Sequence, residues 1–347
     1  MRRLLASLVA LAAGLTGADG LPVRTPVPVP PPAVGVALNL ESSVSAAARQ
    51  EAMEAVRRTG ATFFELSLSW SAAEPSPRHY ALDEIRRTAR LLRQSGATLQ
   101  LDLPLVTESA RDVPADLAGV AFDDPKLSLR LGRLLDALTP VLLDVQTLSL
   151  GEAADAYFAN RPEELRAYRR LFDGAVQFLK KTSPRLLVGV TTLAPTESPA
   201  PEVAALLHQR SPILLYIYCP FLRGKPFLQR GPEELEQDWA RLLETAAGRP
   251  IAFPVVSYSS SPDNGSSPSR QAEFVGRFRR FLARADGRRL LFARYVALRD
   301  TGPESSAAVP GTVSLRDRGR AAFLANRGLE TAAGDPKPAW IEWVKAP

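Results

Sequence analysis

Two short stretches of the chain set carboxylates where they could act together. In Phe64-Glu-Leu-Ser-Leu68 and Leu99-Gln-Leu-Asp-Leu103, apolar and polar residues alternate. Successive side chains of a strand point to opposite sides, so Glu65 and Ser67 should share one face of their strand, as should Gln100 and Asp102 of theirs. Further carboxylates, Glu152, Asp155 and Asp300, stand at or just beyond the ends of other β-rich runs. Paired carboxyl groups can give and take protons. The aromatic residues Trp70, Tyr157, Tyr218 and Tyr258 occupy comparable places, and rings beside polar groups can hold a hydroxyl-rich ligand by packing and hydrogen bonding.

Other chemistries lack their residues. Cys219 is the single cysteine, so no intramolecular disulfide can form. His79 and His208 are the two histidines, and with one cysteine they cannot build a zinc site or a histidine-based triad unless carboxylates supply most of the groups. We therefore expect neither metal nor cofactor. The excess of 43 basic over 37 acidic residues is mild. The basic clusters Arg166-Ala-Tyr-Arg-Arg170 and Arg277-Phe-Arg-Arg280 fall in helix-periodic segments with acidic neighbours, which reads as solvated helix faces and not as a nucleic-acid surface.

The elements that must position these residues can be counted. Eight β-rich runs, Val34–Leu40, Thr62–Trp70, Ala97–Pro104, Val141–Gly151, Leu186–Leu193, Ile213–Tyr218, Ile251–Tyr258 and Leu290–Leu298, alternate with amphipathic stretches. One such stretch carries the stripe Leu165, Tyr168, Phe172, Val176 and Leu179, a single apolar face at helical spacing. Strands alternating with helices imply parallel βαβ units, and eight of them predict a closed (β/α)8 TIM barrel, with a doubly wound open sheet as the alternative. The barrel is expected over 34–347. Before it, Met1-Arg2-Arg3, an apolar run from Leu4 to Leu15 and small residues to Gly20 have the layout of a secretory signal peptide over 1–20. The run is too short to span a bilayer, so the mature chain is expected to have no membrane span. Residues 21–33 hold six prolines and predict an extended linker that packs on nothing. An exported protein, periplasmic or extracellular, is implied.

Several segments, in order and at barrel spacing, resemble the large clan of retaining (β/α)8 glycoside hydrolases, in particular its galactanase-like and cellulase-like exported members. They are Ser69-Trp-Ser-Ala-Ala-Glu-Pro-Ser-Pro77 near the second strand, Val113-Pro-Ala-Asp-Leu117 and Phe122-Asp-Asp-Pro125 after the third, and Leu148-Ser-Leu-Gly-Glu-Ala-Ala-Asp-Ala-Tyr-Phe158 at the fourth. Tyr258-Ser-Ser-Ser-Pro-Asp-Asn-Gly-Ser-Ser267 follows at the seventh, and Gly328-Leu-Glu-Thr-Ala-Ala-Gly-Asp-Pro-Lys-Pro-Ala-Trp340 closes the chain. The resemblance implies an acid glutamate in a Gly-Asn-Glu-x-Asp context and a nucleophilic glutamate near the end of the seventh strand. Laid on this sequence, Gly151 and Asp155 match, Glu152 takes the asparagine position, and Ala153 takes the place of the acid. Val255 takes the place of the nucleophile. Ala297, in Ala297-Leu-Arg-Asp300, stands where related eighth strands carry a tryptophan under the sugar.

Retaining hydrolysis needs both carboxyl groups, roughly 5–5.5 Å apart. The expectation is therefore a non-catalytic barrel that binds an oligo- or polysaccharide or a cell-envelope glycan. The residues expected to line that site are Trp70, Asp102, Asp155, Tyr157, Tyr218, Tyr258 and Asp300. Two alternatives stand beside it. One is an active glycosidase with relocated carboxylates, Glu152 as acid with Glu65, Asp102 or Asp300 as partner; the other is a protein-interaction scaffold whose cleft has filled in.

Overall fold

A computed structural model describes residues 30–38, 46–301 and 315–345. Its main strands are β1 (Ala33–Val36), β2 (Phe63–Ser67), β3 (Thr98–Asp102), β4 (Thr147–Ser149), β5 in two pieces (Leu187–Gly189 and Thr191–Leu193), β6 (Leu214–Tyr218), β7 (Ile251–Val256) and β8 (Leu290–Tyr295). All pair in parallel. One ladder runs β2, β3, β4 and the first piece of β5; the other runs from the second piece of β5 through β6, β7 and β8 to β1.

The ladders meet at two seams. Past Gly189 the chain is interrupted at Val190, yet Leu150 N donates to Gly189 O at 3.0 Å and Thr191 N to Gly151 O at 2.9 Å, so the end of β4 bridges the break. At the other seam Thr62 N donates to Val34 O at 2.8 Å, and Val34 N donates to Thr62 Oγ1 at 3.2 Å. Gly35 permits this approach, because a Cβ there would lie 2.5 Å from Phe63 O. The strand order is cyclic, and the molecule is the (β/α)8 barrel that the eight runs predicted.

The helices follow from local chemistry. Those at Pro125–Ala137, Pro162–Thr182, Pro201–His208, Pro268–Arg284 and Pro338–Lys345 begin at a proline, whose missing N–H costs nothing in a first turn. Asp124 and Ser267 cap two of them by accepting from Lys126 N and Arg270 N. In Pro162–Thr182 the predicted stripe faces inward, with Tyr168, Phe172 and Leu179 buried and Leu165 and Val176 packed at the margin. Parity also holds on the strands: Leu66, Leu99 and Leu101 pack against helices. A separate apolar layer of Phe63, Ile213, Leu215, Ala252 and Phe292 plugs the N-terminal end of the lumen, with Phe63 and Phe292 stacked at 3.9 Å.

Four details depart from expectation. Of the run Val141–Gly151, only Thr147–Ser149 is strand; a turn of helix, Thr139–Leu142, takes its start, with Pro140 in its first turn. The end of the expected linker joins the barrel. Ala33 pairs with Phe292, Gly287 N donates to Pro30 O at 3.0 Å, and Pro32 is buried. An antiparallel hairpin, Phe221–Leu222 with Lys225–Gln229, follows β6, turning at Gly224 with φ +73°. The strand β1 ends at Val36, so residues 37 and 38 of the predicted run are not strand, and its last residues, 39 and 40, lie outside the described residues. The expected signal peptide 1–20 and linker residues 21–29 lie outside the described residues. Among the described residues no helix is long and apolar enough to cross a membrane.

Candidate functional site

Above the apolar plug the lumen turns polar, and one chain of bonds orders it. Thr147 Oγ1 of β4 donates to Gln100 Oε1 at 3.3 Å. Gln100 Nε2 of β3 donates to Glu65 Oε2 at 3.1 Å, and Glu65 Oε1 of β2 is ion-paired with Arg294 Nη2 of β8. Arg294 Nε in turn donates to Pro254 O at 2.8 Å. Burial raises the Glu65 carboxyl, Arg294 pulls it back down, and the charge of Glu152 raises it again. This is a cross-barrel brace in which each polar group has a partner, as buried polar groups require.

Asp102 sits one layer higher, at the C-terminal end of β3, in register with Ser67 and Ser149. It is buried, and its Oδ1 has no hydrogen-bond partner. Burial first, then the charges of Glu65 and Glu152, push its carboxyl well above the ordinary aspartate range, against a bond from Ser149 and the charge of Arg294. Burial thereby favours the protonated form of this carboxyl. Glu152, two residues past Gly151's neighbour Leu150, is exposed at the rim, with its N–H bonded to Val106 O at 2.9 Å. Glu65, Asp102 and Glu152 therefore form one electrostatic group at the mouth.

The two positions expected to be degenerate lie at that same end. Ala153 follows β4, is buried, and takes a left-handed conformation (φ 48°, ψ 40°) at the head of the helix Ala154–Ala159. Val255 lies near the end of β7, partly exposed and in register with Ile217. Ala297, past β8, is buried.

Most of the expected lining is engaged elsewhere. Trp70 is buried and donates from Nε1 to Glu74 Oε2 at 3.0 Å, and Glu74 is paired with Arg130. Tyr157 donates to Glu164 at 3.0 Å, and the Arg161 guanidinium lies over its ring. Tyr218 donates to Asp238 at 3.1 Å. Tyr258 donates to Arg230 O at 2.6 Å and stacks on Phe274. All four rings belong to the packing between strands and helices, their polar tips satisfied. Asp155 staples two loops by accepting from Leu193 N and Ser198 Oγ. Asp300 accepts from Lys337 Nζ at 3.1 Å and Gly328 N at 2.7 Å. Of the seven residues expected to bind a ligand, Asp102 alone points into the lumen; a tyrosine or tryptophan at a strand end satisfies burial and hydrogen bonding more readily from the helix side.

Further residues bear on the mouth of the barrel. Arg294 carried a signal: it is the charged residue, two after Phe292, on the inward parity of an apolar strand. Glu197, past β5, accepts from Cys219 N at 3.2 Å, and burial raises it to about 8. Burial and Glu197 together raise the Cys219 thiol to about 12, leaving it unreactive. Arg327 immediately precedes the segment Gly328–Trp340 that closes the chain. Among the described residues, no group of three His, Cys, Asp or Glu side chains is placed to hold a metal ion.

A cyclic parallel barrel with polar groups gathered at the C-terminal strand ends is the architecture of the (β/α)8 glycoside hydrolases. The solved structures that this chain is similar to include a GH5_18 protein from Streptomyces cattleya in complex with GlcNAc, with TM-score 0.68, 14% identity, and 92% of this chain and 80% of that one covered. An alanine-for-glutamate variant of GH5_18 from Streptomyces cattleya, in complex with Manβ1-4GlcNAc, has TM-score 0.67 at 14% identity over 91% of this chain and 80% of that one. A family 39 glycoside hydrolase from Bacteroides cellulosilyticus WH2 has TM-score 0.60 at 14% identity over 91% and 64%. No protein-family model matches the sequence, and no curated protein matches it. At such identity the likeness is one of fold.

Proposed function

We propose that this protein is an exported saccharide-binding barrel without the retaining glycosidase reaction. The observation that carries the reading is the pair Ala153 and Val255 at the C-terminal ends of β4 and β7, the positions at which the resembling enzymes carry their two carboxylates. Without a nucleophile no glycosyl-enzyme forms, and without an acid a leaving group loses assistance worth about 10²–10⁴-fold. Loss of a carboxylate is compatible with holding a sugar, since the alanine-for-glutamate variant of the Streptomyces protein is in complex with a disaccharide. With Trp70, Tyr157, Tyr218 and Tyr258 in the core, recognition here falls to hydrogen bonds and charge at the mouth. The purified protein should release no aryl alcohol from activated aryl glycosides above background, yet should bind saccharide in calorimetric titrations, with Manβ1-4GlcNAc the first probe. Turnover of any aryl glycoside would overturn the non-catalytic reading.

One observation favours a second reading. The Asp102 carboxyl is buried, unbonded at Oδ1 and raised by burial and by the charges of Glu65 and the exposed Glu152, and a carboxyl whose protonated form is favoured is what a general acid needs. Relocated catalysis would make Asp102 the acid and Glu152 the base, the reverse of the assignment that sequence suggests. Glycoside turnover abolished in both Asp102→Asn and Glu152→Gln would establish it.

A further inference from the structure

Resting on the saccharide-binding reading, we infer that the sugar carries a carboxylate and that Arg327 is the residue that receives it. Arg327 lies on a segment that crosses the C-terminal ends of β7 and β8. On one side of it, Asn326 O accepts from Ser260 N at 2.8 Å; on the other, Gly328 N donates to Asp300 Oδ1 at 2.7 Å and Gly328 O accepts from Gln271 Nε2 at 3.1 Å. The backbone is thus fixed at the rim. The guanidinium lies within electrostatic reach of Cys219, at the end of β6, and of Arg294 in the lumen.

The side chain is partly buried and its Nε is sealed from solvent with no acceptor. Other arginines have an unbonded Nε, but each has a partner through the rest of its guanidinium: Arg86 with Asp83, Arg230 with Asp238, Arg279 over the Trp343 ring. Among the described residues Arg327 has no hydrogen bond or ion pair of any kind. A desolvated cationic donor without an acceptor is costly, and a carboxylate, planar and bidentate, is the group whose geometry a guanidinium matches.

The neighbouring carboxyls leave that charge uncancelled. Glu65 is already paired with Arg294. Burial raises both Asp102 and Glu197, the latter to about 8, and so favours their uncharged forms. Glu152 stands at the same C-terminal rim, past β4 and near Asp102 and Glu65, where it can accept from sugar hydroxyls.

The test is calorimetric titration at pH 7 with paired β1-4 disaccharides, each uronic acid against its neutral counterpart, and a sulfated disaccharide as a third arm. A uronate should bind at least tenfold more tightly than its neutral partner, and added salt should weaken that preference. Arg327→Gln should abolish the preference while leaving the melting temperature equal or higher, because it removes an unpaired, partly buried charge. Equal binding of neutral and acidic sugars, unchanged in the variant, would overturn this inference and leave saccharide binding intact. Tighter binding of the sulfated sugar would overturn the carboxylate assignment. Binding of no sugar in any arm would overturn both.

Discussion

At the scale of single residues, burial decides which expected ligands become architecture. Trp70 stands at a strand end, where a ring could meet a ligand, but its indole N–H holds Glu74, which also pairs with Arg130. Trp70→Phe removes that donor while keeping a ring. It should cost about 1–3 kcal/mol, the penalty for leaving a buried charged group short of a partner, in urea unfolding, and leave saccharide affinity of the folded protein unchanged. A tenfold loss of affinity with stability intact would return Trp70 to the binding site. Asp102 and Glu65 were legible because strict alternation fixes the direction of a strand side chain. Trp70, Tyr157, Tyr218 and Tyr258 were not, since each stands in or beyond a strand's last residues, where parity no longer says which side is which. Arg327 had no period at all to announce it.

At the scale of elements, the alternation of strand and helix patterns was enough to count eight strands, because each helix buries one continuous stripe and each strand one parity. The seams were not readable. They are made by a few bonds, Thr62 to Val34 and Thr191 to Gly151, which leave no pattern in composition. Gly35 marks one seam, and its role is steric: a Cβ would stand 2.5 Å from Phe63 O and 3.0 Å from the Phe63 ring. Because the first of these is backbone, Gly35→Ala should push β1 from β2 and cost about 1–3 kcal/mol, the usual range for overpacking, read as a lower urea midpoint. Gly119→Ala, with open space around it, is the control and should be near neutral. Equal midpoints for the two variants would mean that β1 and β2 are not held at this distance.

At the scale of the whole molecule, the buried carboxyls share a sign that sets the pH dependence of stability. Glu65, Asp102, Asp155 and Asp300 are all raised, chiefly by burial, and Glu197 is raised to about 8 from an ordinary 4.5. Between those two values the folded chain keeps a proton that the unfolded chain has lost. Glu197 therefore contributes stability that is fully present below about pH 4.5 and is lost as pH rises through 8. His208 works the other way. Burial lowers it to about 4 from 6.5, so its contribution is complete above pH 6.5 and is lost as pH falls toward 4. The two oppose each other on the acid side, and from pH 6.5 to 8 the carboxyls act alone of the two. The melting temperature should accordingly fall between pH 6.5 and pH 8.5, by the equivalent of about 1 kcal/mol for Glu197 once solvent screening of this partly exposed group is allowed for, or about 2–4 °C. Glu197→Gln should flatten that slope, because the amide reproduces the neutral acid and its oxygen can still accept from Cys219 N. Scanning calorimetry of the two proteins at both pH values decides the matter: a wild-type melting temperature that holds or rises across the window, or a variant with the wild-type slope, would mean that Glu197 does not carry its proton into the folded state at neutral pH.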